Sequence, residues 1–422
     1  MNIRKKTLTL SISVLLLLSL VTGCGTSSST AVSGSIASNQ TEKAPSQPAA
    51  TVPETESETE PEPSTEYIAP VTANIVAVGD MLMHGGVSVP AVQADGTYNY
   101  DYVFANVKDA VNAADLAIAN NEVIMGGNSI GNIGYPCFNV RTELGDAEAA
   151  AGFDVILGAT NHTMDQGAAG IMNCIDFWKT NHPDISLIGI HDSAESASEI
   201  TVREVNGIRI AMLNYTYGLN GFELPQGYEY AADLMNEWTK SKIADDISRA
   251  KAISDFVIVF PHWGTEYNLG ISDEQASWAQ FFADNGVNMV IGTHPHVVEP
   301  VEWVTSSDGS NKMLVYYSLG NYISIQYYNF SMLGGMAQVS ITKDSSGTYI
   351  SDYGMKFLVT HYNSSRSHVT TYFLDDYTDE LASSHAILTE PSEKYMAVNR
   401  SYPFTVEGLK SLAGSVCPDL VD

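Results

Sequence analysis

The chain has 422 residues, with 20 basic and 49 acidic side chains and a formal net charge of −29. That length holds one large domain or two ordinary ones with a sizeable core, and so acidic a balance, with no basic stripe to offset it, excludes nucleic-acid recognition. None of the four cysteines sits in a Cys-x-x-Cys spacing, which argues against a thiolate zinc site or a disulfide framework.

Residues 1–23 place Arg4, Lys5 and Lys6 before the apolar run Leu8 to Val21 and stop at Leu20-Val-Thr-Gly-Cys24. That is the order of a secretory signal. The small residues before Cys24 resemble a bacterial lipobox, which implies cleavage there, lipid on the Cys24 sulfur and an extracytoplasmic protein anchored to the cell membrane. An uncleaved anchor and an ordinary signal peptide are the alternatives. Residues 24–70 carry Ser, Thr, Ala, Pro and Glu with few large apolar side chains, a composition that predicts a disordered acidic tether. Cys137, Cys174 and Cys417 remain. Three thiols cannot all pair within one molecule, and if two do, Cys137 with Cys174 is the expected bridge.

The folded part begins near residue 71. Asn74 to Val78 reads as a buried strand running into Gly79-Asp80, followed by a helix over Val103 to Ala114 and a strand over Leu116 to Ala119. Thr142 to Ala151 reads as helix, Asp154 to Leu157 as strand, Gly167 to Thr180 as helix and Ile185 to Ile190 as strand. Ile200 to Val205 and Ile208 to Tyr215 form a hairpin signature around Asn206-Gly207, two residues that tolerate positive φ. Glu237 to Ser254 follows as helix, Phe256 to Phe260 as strand, and Asp273 to Asn285 as a helix with Gly286 past its end. Val287 to Ile291 and Lys312 to Ser318 are further strands. Beyond residue 328 the helical pattern stops, and Gly335 to Thr342 and Thr348 to Val359 look like strands. This alternation predicts a mixed α/β sandwich over 71–328. A mainly β extension over 329–422 either completes it or stands apart.

The chemistry collects at the ends of the apolar runs. Five of them close in Asp, Glu, Asn or His: at Asp80, at Asn120-Asn-Glu122, at Thr160-Asn161-His162, at His262 and at His294-Pro-His296. In a layered α/β sandwich such strand ends meet on one rim, and carboxylates, neutral imidazoles and an Asn carbonyl are what a site for two divalent metals requires. The candidates are Asp80, Glu122, Asn161, His162, His262, His294 and His296. An extended backbone puts both imidazoles of His294-Pro-His296 on one side. His182 and His191 lie in loop context and read as solvated or capping histidines, and Trp263 reads as packing that shields the site. Neither a phosphate-cradling Gly-rich loop nor a nucleophilic-serine elbow is present in the sequence.

Gly79-Asp80, Asn120-Asn-Glu122, Ala159-Thr-Asn-His162 with Asp165, His262-Trp-Gly264 with Glu266-Tyr267, Gly292-Thr-His-Pro-His296 and Tyr317-Ser-Leu-Gly-Asn321 together resemble the capsule synthesis CapA family. That family is linked to poly-γ-glutamate capsule and belongs to the calcineurin-like metallophosphatases. The resemblance runs from about Ile75 to Tyr322. It implies a metallophosphatase-like sandwich of mixed sheets flanked by helices, two bound divalent ions (Mn, Fe or Zn) and hydrolysis of a phosphoester or an envelope polymer. By position, Asp80, Glu122, Asn161, His262, His294 and His296 would be ligands, with Glu122 bridging. His162 would serve the leaving group, with Asp165 orienting its ring, and His84, Asn120, Glu266 and Asn321 would be available to substrate. The Asp-x-His usual in the first motif is absent, His84 being the nearest histidine, and Thr160 stands where the family has a second Asn. The implied partners are the capsule synthesis and export machinery, and a non-catalytic polymer-binding accessory is the alternative role.

Overall fold

The structure, a computed structural model, describes residues 69–420. The expected signal segment, Cys24 and the tether up to residue 68 lie outside the described residues. β1 (Val71–Met81), α1 (Lys108–Asn112), β2 (Leu116–Asn120), α2 (Glu143–Ala151), β3 (Val155–Leu157), α3 (Gly167–Asn181) and β4 (Ser186–Ile188) alternate through the first part. The hairpin β5 (Thr201–Val205) and β6 (Ile208–Thr216) precedes α4 (Lys240–Ile253), β7 (Phe256–His262), α5 (Asp273–Asp284), β8 (Met289–Ile291), β9 (Val301–Thr305) and β10 (Lys312–Tyr316). β11 (Asn321–Ile323), β12 (Leu333–Asp344), β13 (Gly347–Tyr362), β14 (Val369–Phe373), α6 (Asp379–Ser384), α7 (Glu393–Asn399) and α8 (Val406–Val416) complete it.

The strands form two mixed sheets. The first has the order β14-β13-β12-β1-β2-β3-β4, with β11 paired to the end of β1, and the second has the order β5-β6-β7-β8-β10-β9. β1 to β4 run parallel, as do β6, β7, β8 and β10, so the strand ends carrying the candidate residues share a direction within each sheet. β12 lies antiparallel between β1 and β13, which makes residues beyond 328 an integral part of the first sheet.

Burial follows the strand period of two. On β7, Phe256, Ile258 and Phe260 enter the large core shared with β1, β2 and β3, while Val257 and Val259 enter a second core with Ile243 and Ile247 of α4 and Trp278 and Phe282 of α5. Ser272 and Gln275 form a capping box at the start of α5. Polar ties also join the sheets. Asn206, at the hairpin turn, donates to the Thr72 carbonyl (2.8 Å), and Lys343 of β12 pairs with Asp255 at the start of β7 (2.9 Å).

Three expectations are corrected. The helix expected over Val103 to Ala114 reduces to α1 with turns before it, where the Asn106 amide donates to the Thr371 carbonyl (3.0 Å). The region past residue 329 is not free of helices: Thr378 and Thr405 cap α6 and α8, and α8 buries Leu409, Leu412, Ala413 and Val416 on one face. Cys137, Cys174 and Cys417 are all free, and Cys174 is buried on α3, where burial pushes its thiol up to about 12. No described helix is long and apolar enough to cross a membrane.

Candidate metal centre

Asp80 is near the end of β1, Glu122 just past β2, Asn161 shortly after β3, His262 at the end of β7, and His294 and His296 in the turn after β8. These are carboxyl ends of parallel strands, the edge where open α/β sheets place ligands. The register aligns Asp80 with Asn120 on one side and with Asn321 on the other, and His262 bridges to Thr293. A Cβ at Gly79 would run into the Gly320 carbonyl oxygen, so only glycine lets β1 and the turn before β11 approach this closely.

The six candidate ligands are all buried and converge. Three overlapping groups each bring ligand atoms within 4.8 Å of one another: Glu122 with His262 and His294, Asp80 with Glu122 and His296, and Glu266 with His294 and His296. Glu122 belongs to two of them. Asn161 joins through its Oδ1, 2.9 Å from Nε2 of His262. The His262 ring is oriented by Thr293 Oγ1 at Nδ1 (3.0 Å), and His296 places Nδ1 3.0 Å from Asp80 Oδ2. His294 and His296 hold φ of 101° and 60°, left-handed values that non-glycine residues rarely adopt and that are found at ligand-clamping turns. The backbone N–H of His294 reaches Asp80 Oδ1 (3.2 Å), and Asn321 donates to the His296 carbonyl (3.2 Å).

The donor set fits divalent cations. Both carboxylate oxygens of Glu122 and Nδ1 of His294 are buried without a hydrogen-bond partner. Such orphaned groups are costly unless something satisfies them, and a cation would do so. Burial pushes His262 down to about 3 and His294 well below its ordinary value, keeping both imidazoles neutral as metal ligands must be. Burial pushes Glu122 up. At His296 burial is outweighed by Glu122 and Asp80, which raise it to about 9. Neutral imidazole mixed with carboxylate and carbonyl oxygen suits Mn, Fe or Zn.

His162 and Asp165 form a separate pair beside this cluster. Nδ1 of His162 is 2.7 Å from Asp165 Oδ2, which also accepts the Phe138 backbone N–H (2.6 Å), and the Phe138 ring stands edge-on to His162 at 4.7 Å. Nδ1 thereby holds its proton toward Asp165 and Nε2 is left for substrate.

The four residues expected at substrate divide. Asn120 and Asn321 are fully buried and serve as supports instead, Asn120 donating to Asp80 Oδ1 (2.8 Å) and Asn321 binding Gln326, Ser331 and the His296 carbonyl. His84 is half-buried, with Nδ1 accepting from Ile325 N (3.3 Å), and burial lowers it to about 4. Glu266 is exposed and stands within ligand reach of His294 and His296. Two neighbours carried no sequence signal. Asn220, at φ 52°, accepts from Asn161 (3.1 Å) and puts its amide 3.3 Å from His162 Nδ1, and Tyr217 places its ring 4.6 Å from that of His294.

Residues 74–326 match the family described as bacterial capsule synthesis protein PGA_cap. The chain is 30% identical over 204 residues to the PGA biosynthesis protein CapA of Bacillus subtilis, a match covering 47% of this chain and 49% of that protein, about half the relative's length. It is 28% identical over 302 residues to the capsule biosynthesis protein CapA of Bacillus anthracis, covering 68% of this chain and 69% of the other. Among solved structures it is similar to a novel phosphatase of Mycoplasma pneumoniae, at TM-score 0.42 and 14% identity, over 69% of this chain and 95% of that one. A calcineurin-like phosphoesterase of Bacillus subtilis, YfkN, is similar at TM-score 0.39 and 12% identity, over 82% of this chain and 99% of the other. Scores this low carry no reaction across.

Proposed function

The chain belongs to the bacterial capsule synthesis protein PGA_cap family, and from that membership we propose that it is a metal-dependent hydrolase of phosphoesterase type, acting at the cell surface in the synthesis or export of capsule or poly-γ-glutamate. The observation that carries this reading is the convergence of Asp80, Glu122, Asn161, His262, His294 and His296 around the unpartnered Glu122 carboxylate. These residues would hold two cations, with Glu122 between the Asp80–His296 and His262–His294 pairs. Bound there, divalent metals supply Lewis-acid polarisation of a phosphoryl oxygen and a water acidified toward neutral pH.

The chain's own part is positioning and proton transfer. His162, its Nδ1 proton directed to Asp165, gives up a proton at Nε2 to the leaving oxygen. Asn220 accepts from Asn161 through its Oδ1 and sets its amide nitrogen beside the His162 ring, so one side chain lies between the proton donor and a metal ligand. The resemblance of the residues before Cys24 to a lipobox supports an extracytoplasmic domain tethered to the membrane face where capsule is made.

Elemental mass spectrometry on the purified full-length chain beside His294→Ala tests the site, and turnover of a chromogenic phosphodiester tests the reaction. Bound transition metal that disappears in the variant, together with metal-dependent turnover, supports the hydrolase. Metal without turnover of any phosphoester would move the reading to the accessory role, a protein that binds polymer during export.

A further inference from the structure

The six buried donors divide unevenly between the two cations. Glu122, Asn161, His262 and His294 give one of them four protein donors, whereas Asp80, Glu122 and His296 give the other three. A third convergence overlaps both sets: an oxygen of Glu266 and one ring nitrogen each of His294 and His296 lie within 4.8 Å of one another. Nδ1 of His294 is buried without a hydrogen-bond partner, so this group contains a donor that nothing in the protein satisfies. Among the described residues no such group includes His84, whose Nδ1 lies against the Leu82 and Ile325 backbone.

Glu266 is exposed, and an exposed carboxylate is ordinarily a solvated one. Its backbone, however, is fixed against the histidine turn on both sides. The Trp263 N–H donates to the Thr293 carbonyl (3.0 Å) and the Tyr267 N–H to the Pro295 carbonyl (2.8 Å), so residues 263–267 are stitched to 293–295. Tyr267 is held a second time: its hydroxyl accepts from Gln326 (3.2 Å), Gln326 accepts from Asn321 (2.8 Å), and Asn321 donates to the His296 carbonyl (3.2 Å). Gly264, at φ 94°, makes the bend between, where a Cβ would meet the Gln275 side chain at 2.7 Å. Supporting hydrogen bonds of this kind are what orient the donors of a metal site.

Resting on the two-cation reading above, we infer that Glu266 is a seventh ligand, the fourth protein donor to the cation held by Asp80, Glu122 and His296. Both cations then have four protein donors, with Glu122 shared. The two sites still differ. The donors of the first are all buried, while the second draws one from an exposed side chain that must be ordered when the ion binds, at a cost in affinity. The ion at Asp80 is therefore the weaker and the more readily exchanged of the two.

The test titrates the metal-stripped full-length chain with Mn and counts bound ion by elemental analysis after dialysis at each free concentration. Wild type should take up two ions in two steps. Glu266→Gln, which keeps the side chain's shape and removes its charge, should leave the first step where it was and weaken the second at least about tenfold. The retained first step shows that the variant is folded. Asp80→Asn should weaken that same second step. Glu274→Gln removes an equal charge from an exposed position at the start of α5 and should move neither step by more than about twofold, which separates ligation from the field of the acidic surface. An unchanged second step in Glu266→Gln, an equal loss in Glu274→Gln, or a weakened first step overturns the inference. So does a third ion in wild type that Glu266→Gln alone removes, which would make Glu266 part of a separate site with His294 and His296. Two ions whose affinities ignore Glu266 leave the two-cation reading intact and remove only the seventh ligand, whereas fewer than two ions in wild type removes both.

Discussion

Asp80 and His296 lie 216 positions apart in sequence, and Oδ2 of the first is 3.0 Å from Nδ1 of the second. Asp80 belongs to the first sheet and His296 follows a strand of the second. The contact is therefore a seam between sheets, and a cation bound by Asp80, Glu122 and the histidines would close that seam from both sides.

Ligand and proton-donor roles should separate by mutation. Asp80→Ala and His294→Ala are expected to lose bound metal. His162→Ala should retain it and lose turnover by about 10²- to 10⁴-fold, the usual contribution of a positioned proton donor. Asp165→Ala should cost less, about 10- to 100-fold, because it acts through the His162 ring. Elemental analysis beside steady-state kinetics checks all four, and metal retained in His294→Ala would sink the ligand assignment.

Chelation should destabilise the protein. Ligand at about 100 times its dissociation constant adds roughly 2.7 kcal/mol to the folded state. Adding a chelator should accordingly lower the wild-type Tm by several degrees and leave that of His294→Ala where it was. Equal shifts in the two proteins would place the metal elsewhere.

Acid should loosen the tie between sheets. Burial acts to raise Asp255, but the Arg209 backbone N–H and the Lys343 ammonium overcome it and hold the carboxyl at about 2, below its ordinary 3.8. A depressed folded-state value means stabilisation that is complete above the unfolded value and lost as pH falls through the folded one. Asp255→Asn should cost about 1 kcal/mol at neutral pH and almost nothing near about pH 2. Urea titrations at the two pH values give the comparison.

Glu148 behaves in the opposite sense. It is fully buried on α2, neither carboxyl oxygen has a partner, and burial raises it well above its ordinary 4.5. A raised folded-state acid costs stability progressively as pH climbs past the unfolded value. Glu148→Met should stabilise by roughly 1–3 kcal/mol at about pH 8 and by much less at about pH 4.5. A gain independent of pH would show that the effect is packing alone.

The ligand-bearing strands were legible because each couples a short apolar run to a polar residue at or just beyond its end, as Phe256 to His262 does on β7. Asn220 was not legible, since it reaches Asn161 and His162 from a loop and no periodicity links it to them. The place of Glu266 depends on the turn through Gly264 and Tyr267, at φ of 94° and 63°, which swings it back toward His294. β9, β11 and β14 have only five, three and five residues, too few for a period to stand out. α8 could have been read: Thr405 is a capping residue, and Leu409, Leu412, Ala413 and Val416 repeat at helical spacing. The Cys137–Cys174 bridge failed because spacing carries no information on which thiols a core brings together.

β1, the first described strand, pairs with β12 through eight registered positions from Val71 with Lys343 to Val78 with Met336. A ribosome delivers β1 more than two hundred residues ahead of that partner. Until then one side of the future sheet centre is an open edge of buried apolar residues, the kind that recruits strands from other chains. Shortening the chain at residue 328 would make that interval permanent, so the integrity of β1 is decided by a strand made more than two hundred residues after it.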